Sequence, residues 1–246
     1  MSALGTLARL VLPGPVDEWL RRWRLGEAPV PPGRVRFGDL RRLTPMSRTF
    51  GSDRGQPVDR HYIETFLGRN ASDIRGRVLE IGDATYTRRF GGQLVTRSDV
   101  LHVSDGNPHA TIVADLAQGD AIPSAAFDCV ILTQTLHLVY DVHAAVATLR
   151  RILAPHGACL ITVPGISQID SGTWRDSWYW AFTPASLRRA LAESFGTSVN
   201  VHSFGNVLAA SAFLYGLSAS ELTSEELAEG DASYPVIVAA RASVGK

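Results

Sequence analysis

Acids and a single glycine recur at one kind of place in this 246-residue chain, just beyond short apolar runs. Glu80, Gly82 and Asp83 follow Val78-Leu79, and Ser104, Asp105 and Gly106 follow the run ending at Val103. Asp115 and Leu116 close Thr111–Ala114. Thr133 and Gln134 close the run from Phe127, with His137 just beyond. Carboxylates placed this way can hold hydroxyl or amino groups of a ligand. Asp105 lies 23 residues past Gly82, where a carboxylate can hold a ribose diol. The three-glycine nicotinamide fingerprint is missing, as are a Walker phosphate loop and a G-x-S-x-G nucleophile turn. No His/Cys cluster has ligand spacing, so no metal is expected. Several acids without a phosphate-cradling loop suit a nucleoside that carries no phosphates, a cationic one included.

A second cluster, Gln168–Phe182, holds Trp174, Trp178, Tyr179, Trp180 and Phe182. Trp174, Trp178 and Tyr179 are the candidates to roof an acceptor pocket. With Asp170, Arg175 and Asp176 nearby they suit a sugar or an aromatic ring. The other reading is packing of the next helix onto the core, with Trp180 and Phe182 as the packing pair. His137 is the candidate general base, because imidazole titrates nearest neutral pH; a partly buried, backbone-satisfied histidine is the alternative. Residues 34–60 carry seven arginines (34, 36, 41, 42, 48, 54, 60) against three aspartates. They read either as an anion-recognising lid or as a solvated surface with local Asp–Arg pairs.

The elements that must position these groups follow from periodicity. Apolar runs at Val78–Ile81, Asp99–Val103, Thr111–Asp115, Phe127–Thr133, Ala158–Val163 and Pro235–Ala240 read as strands. Pro57–Leu67, Ala144–Leu153 and the stretch opened by Thr183-Pro184 read as helices, with proline in the first turn of two of them. Short apolar strands alternating with helices predict an α/β fold. Its sheet is Rossmann-like, seven-stranded and mostly parallel, flanked by helices, with ligands at the strands' carboxyl ends. Residues 204–234 read as an insertion before the last strand. Within it Val207, Ala210, Leu214 and Leu217 form one apolar stripe, which would cover the acceptor site or mediate a homodimer. The expected organisation is an N-terminal arm or lid at 1–56, with short helices before a proline linker, and one domain at 57–246.

Residues 76–165 resemble class I S-adenosylmethionine-dependent methyltransferases. The resemblance rests on VLEIGDATYTRRFGG, IVADL, FDCVILTQTLHLVYD and ILAPHGACLITVPG, in order and spacing. With DSWYWAFTPASLRRAL downstream, the chain is similar over residues 50–245 to bacterial methyltransferase domains of glycan and natural-product pathways. The resemblance implies S-adenosylmethionine as cofactor and O-methylation of a small-molecule, sugar or glycan acceptor. It implies that Glu80, Gly82 and Asp83 cradle the methionine part, and that Asp105 holds the ribose. It also implies that Asp115, with Leu116 beside it, meets the adenine, and that Thr133 and Gln134 line the sulfonium. Ala84 and Tyr86 replace the family's second and third glycines, so the backbone is expected to run differently at Tyr86. That departure motivates an alternative, a non-catalytic methyltransferase-like scaffold. The ten residues from Asp105 to Asp115 leave no room for the usual helix between strands two and three. The adenine side is therefore expected to be open, and Asp99 or Ser104 could replace Asp105.

The totals exclude some classes. Lys plus Arg equals Asp plus Glu, 24 against 24, which argues against a nucleic-acid or membrane-surface partner. No apolar run reaches the length of a membrane span. Leu7–Leu12 lacks a basic start and a cleavage site, and the two cysteines, Cys129 and Cys159, sit in apolar runs. A cytoplasmic protein with reduced core thiols is the expectation.

Overall fold

The computed structural model describes residues 30–245, and the helices expected before residue 30 lie outside them. The chain divides into two compact units, Met1–Leu43 and Thr44–Lys246. In the described part of the first, a 3-10 turn spans Gly38–Leu40, and the Arg41 guanidinium lies 5.0 Å from the centre of the Phe37 ring. Arg34, Arg36, Arg41 and Arg42 are exposed there. The second unit begins at Thr44, ahead of the expected boundary at 57.

Seven strands form its sheet: β1 (Gly76–Ile81), β2 (Val95–His102), β3 (Ile112–Val113), β4 (Phe127–Thr133), β5 (Leu153–Pro164), β6 (Val199–Phe204) and β7 (Ile237–Ser243). Their order is β3-β2-β1-β4-β5-β7-β6. β1 to β5 pair in parallel, and β7 runs antiparallel between β5 and β6. The chain leaves β1 for one edge and returns at β4 on its other side. That reversal is the switch point where such sheets bind ligands.

Side chains alternate across the strands and build a core on each face. In β4, Val130 and Leu132 join one core and Cys129 and Ile131 the other. Helices α2 (Val142–Ile152) and α3 (Pro184–Phe195) cover the first face, while α1 (Val58–Arg69) covers the second. Each starts where the sequence supplies a signal. Pro57 precedes α1, Asp141 Oδ1 accepts from Ala144 N at 2.9 Å, and Thr183 and Ser186 form a reciprocal cap on α3. Each fully buried leucine or isoleucine contributes roughly 1.5–3 kcal/mol.

β4 matches the sequence expectation residue for residue, but several other elements differ. β2 starts at Val95, because β1 supplies hydrogen-bond partners to its polar first half. β3 is only two residues long and lies at the sheet edge, joined to β2 by turns rather than a helix. β5 begins at Leu153, where Phe127 pairs with it. β6 was not expected; its Val199-Asn-Val201-His pattern has period two and packs one side on the first core.

The insertion between β6 and β7 holds α4 (Val207–Leu214) and α5 (Ser224–Ala228). The expected stripe on α4 is not one face. Ala209, Ala210, Ala212 and Phe213 are buried, whereas Val207, Leu208 and Leu214 are exposed. Residues 44–56 are pinned to this insertion. Met46 N donates to Tyr215 O at 2.8 Å, Ala219 N donates to Gln56 O at 2.7 Å, and Arg54 forks onto Glu221. That hydrogen-bonded pairing pulls the Glu221 carboxyl down to about 2.

Gly216 sits at φ +72°, and a Cβ there would lie 2.3 Å from Ser47 O. Gly216→Ala should therefore destabilise the protein by about 2–4 kcal/mol, while Gly230→Ala, with nothing within 4 Å, should stay within about 0.5 kcal/mol. Urea denaturation of the two variants checks the contrast.

Candidate functional site

The turn after β1 is built on Glu80, which is 2% exposed. Its carboxylate accepts from Tyr86 N at 3.0 Å, Thr87 N at 2.7 Å and Thr87 Oγ1 at 2.7 Å. Burial raises its pKa and the three hydrogen bonds oppose the rise. Glu80 thus holds the start of the helical turn Thr87–Gly91 from beneath and does not line the cleft. Asp83 is also outside the cleft; its exposed Oδ1 accepts from Thr85 N at 2.6 Å and shapes the turn. Gly82 does line it, at φ +87°, and a Cβ there would meet nothing within 4 Å. Gly82 N donates to Leu101 O at 3.0 Å, and the Asn107 amide donates to Gly82 O.

At the expected departure, Tyr86 turns inward. It is 3% exposed, packs in the second core 6.1 Å from Phe90, and its hydroxyl accepts from Arg60. The backbone stays helical there, so a large side chain at that place leaves the cleft clear.

The acids of β2 and of the turn after it divide. Asp99 is 2% exposed and fully engaged: Arg77 Nε at 2.7 Å, Arg97 Nε at 3.1 Å and Thr111 Oγ1 at 3.1 Å. Burial works to raise its pKa, but these partners outweigh it and hold the carboxyl below the usual range. Asp105 stands exposed in a turn and does not line the cleft, and neither does Ser104. The polar side chain that lines the cleft at the end of β2 is instead His102, between Leu101 and Val103, and no sequence motif marked it. It lies 20 residues past Gly82, the spacing at which a ribose-holding side chain is expected. Its Nδ1 is 3.2 Å from Ser104 N. Asp115 and Leu116 do line the cleft, and Asp115 Oδ1 accepts from Ala117 N at 2.8 Å.

Thr133, Gln134 and His137 also line it, at the end of β4. Gln134 has φ +46°, a strained value that its own hydrogen bond, N to Thr162 O at 2.9 Å, sustains. His137 lies in the 3-10 turn Leu136–Leu138 and is 1% exposed. Its carbonyl accepts from Tyr179 N at 3.1 Å and Trp180 N at 3.3 Å, and the Trp178 ring stands edge-on at 4.3 Å. Nδ1 has no hydrogen-bond partner among the described residues. Burial pushes the imidazole down to about 4, so the ring is neutral at neutral pH.

Trp174, Trp178 and Tyr179 all line the cleft. Trp178 stacks on Phe50 at 6.2 Å, and Phe50 meets Phe213 at 6.0 Å. With His137 against Trp178, four segments meet in one aromatic wall. Phe50, at φ +59°, was another residue missed, because its neighbours signal only a turn. Phe182 is buried, as expected, but its partner Trp180 is 40% exposed and donates Nε1 to Val139 O at 3.0 Å. Trp180 is a rim residue. Of Arg48, Arg54 and Arg60, only Arg60 lines the cleft, and Phe50 and Asp59 line it as well.

The cleft encloses about 920 Å³. That is ample for a nucleoside and a second small molecule. Among the described residues no His, Cys, Asp and Glu group could hold a metal ion, and no helix is long and apolar enough to cross a membrane.

The family model described as a methyltransferase domain matches residues 59–195. No curated protein sequence matches the chain. Among solved structures, an N-methyltransferase, NodS from Bradyrhizobium japonicum with S-adenosyl-L-homocysteine, superposes with a TM-score of 0.50 at 16% identity, covering 78% of this chain and 90% of its own. An S-adenosylmethionine-dependent methyltransferase from Mesorhizobium loti gives 0.50 at 17%, with 76% and 97% coverage. One from Archaeoglobus fulgidus gives 0.50 at 13%, with 74% and 93%. At these identities the likeness is one of fold.

His137 provides a sign-definite test. Its pKa in the fold, about 4, lies below the ordinary 6.5, so the native state disfavours the proton. Stability from this group is complete above pH 6.5 and falls as pH drops from 6.5 toward 4, by up to about 1.4 kcal/mol per unit. Urea midpoints at pH 7.5 and 5 should fall less for His137→Gln than for the native protein.

Proposed function

The chain belongs to the class I S-adenosylmethionine-dependent methyltransferases through its methyltransferase domain, and from that premise we propose that it methylates an oxygen of a small-molecule, sugar or glycan acceptor. The observation that carries this reading is His137: a buried, neutral imidazole on the cleft wall whose Nδ1 has no hydrogen-bond partner among the described residues. A ring nitrogen left without a partner at the cleft wall is available to a hydroxyl that must lose its proton as it attacks, although burial weakens it as a base.

The residues fit the cofactor. Gly82 leaves open space where any side chain would intrude. Asp115 and Leu116 are suited to an adenine, and Thr133 and Gln134 to the neighbourhood of the reacting sulfur. When bound, S-adenosylmethionine supplies an electrophilic methyl group on a sulfonium. The chain's own share is placement and proton handling. Trp178, Tyr179 and Trp174 offer flat faces to a sugar or aromatic ring, and Asp170 and Ser167 on the same wall offer polar contacts. Holding the acceptor at contact distance removes most of the entropic barrier. His137 accepts the hydroxyl proton. Tyr86 turns into the core and leaves the cleft clear, which favours the enzyme over a non-catalytic scaffold.

Calorimetry with S-adenosylhomocysteine should give saturable binding; none at millimolar ligand would refute the enzyme reading. Asp115→Ala should weaken that binding by about tenfold or more. With an acceptor found by screening sugars and phenols for methyl incorporation, His137→Ala should cut turnover by about a hundredfold or more while leaving cofactor affinity within about twofold. An unchanged rate would remove His137 from the mechanism.

A further inference from the structure

At the mouth of the cleft three aromatic rings meet in the open. Tyr140 is 71% exposed, and Tyr179 and Trp180 are exposed as well. The Tyr140 ring stands edge-on to Tyr179 at 5.3 Å and lies 6.0 Å from Trp180 at 31°. None of the three joins either core. Scattered exposed rings are ordinary, but three in contact make a patch that marks a binding surface. The patch is also held rigid. Trp180 Nε1 donates to Val139 O at 3.0 Å, and the Tyr179 and Trp180 N–H groups both donate to His137 O. The platform is thus fixed to the turn that carries His137. Tyr140, Tyr179 and Asp141 line the cleft and Trp180 does not, so the patch starts inside the cleft and runs out of it. Whatever covers it is continuous with the molecule held beside His137.

The covering group must turn an apolar face to the rings and keep the rest of itself in water, because an open platform cannot replace lost hydration. A sugar ring does both: its C–H face lies on the aromatic rings and its hydroxyls stay at the edge. There Asp141, whose Oδ1 caps α2, and the two phenol hydroxyls offer polar contacts. A hydrocarbon chain would be covered on one side only and would forfeit most of the gain from burial. We propose that Tyr140, Tyr179 and Trp180 stack a second sugar unit of the acceptor, so that the substrate is an oligosaccharide and the unit methylated is the one seated at His137. The assignment rests on the sugar acceptor of the reading above. The transfer itself is unchanged: the acceptor oxygen bonds the cofactor's methyl carbon, the carbon–sulfur electron pair stays on sulfur, and the hydroxyl proton passes to His137.

The test measures transfer of labelled methyl from S-adenosylmethionine by the full chain to mono-, di- and trisaccharides of glucose, galactose, mannose, rhamnose and N-acetylglucosamine. Among the sugars that accept methyl, the longer member should exceed its monosaccharide by about tenfold or more in kcat/KM. Tyr140→Ala and Trp180→Ala should each cut that ratio by about threefold or more, and the double change should bring it within about twofold. Tyr140→Phe, which keeps the ring, should retain it. S-adenosylhomocysteine affinity within about twofold of the native value shows that each variant is folded. Equal rates for the two lengths, a ratio that survives the double change, or transfer confined to phenols would overturn the outer subsite and leave the methyltransferase reading intact. So would no transfer to any sugar by a chain that binds S-adenosylhomocysteine. Failure of the native protein to bind S-adenosylhomocysteine would overturn both.

Discussion

The Glu80 carboxylate is sealed beneath the turn that follows β1, and three donors converge on it from Tyr86 and Thr87. A carboxylate buried this deeply is tolerated only when its oxygens are satisfied. Here the donors are two backbone N–H groups at the start of a helical turn and one hydroxyl, so satisfying the charge also fixes the path of the chain. Gly82 is left over the cleft and Tyr86 is driven into the core. Tyr86 then holds Arg60, and Arg89 holds Glu64, so α1 docks against the same turn. Without that carboxylate the turn would lose its fixed start, and the walls built on it would lose their register.

The aromatic part of the lining depends on a different kind of contact. His137, Trp178, Phe50 and Phe213 come from four separate segments and meet ring to ring. Residues 44–56 belong to this wall because the insertion between β6 and β7 grips them through Tyr215, Glu221 and the close approach of Gly216 to Ser47. The cleft lining therefore combines strand ends, which bring Gly82, His102, Asp115 and Thr133, with aromatic side chains from the connections. A methyl transfer that must place an acceptor against a bound cofactor draws on both.

Much of this was legible in the sequence wherever a local rule decides the structure. β4 is a buried central strand, and its apolar run ends where its hydrogen bonding ends. Thr183-Pro184 marks the start of α3 because cap and proline act within one turn. Positions set by long-range pairing were not legible. β2 extends back to Val95 only because β1 lies beside it, and the spacing from Gly82 that pointed to Asp105 does not show that its turn carries it away from the cleft. The stripe on α4 failed because an almost wholly apolar helix gives periodicity no contrast to read, and burial was decided by what packs against it. Phe50 gave no signal at all, since its role comes from rings distant in the chain.

A crystal structure of the full chain with S-adenosylhomocysteine tests the central claim most directly, that the turn held by Glu80 and the ends of β2, β3 and β4 together form a cofactor cradle. The account predicts the ligand in the cleft against Gly82, His102, Asp115 and Gln134, its sulfur on the side that faces His137, and the Glu80 hydrogen bonds unchanged. Ligand bound elsewhere, or bound in the cleft only after the Glu80 turn has rearranged, would contradict it.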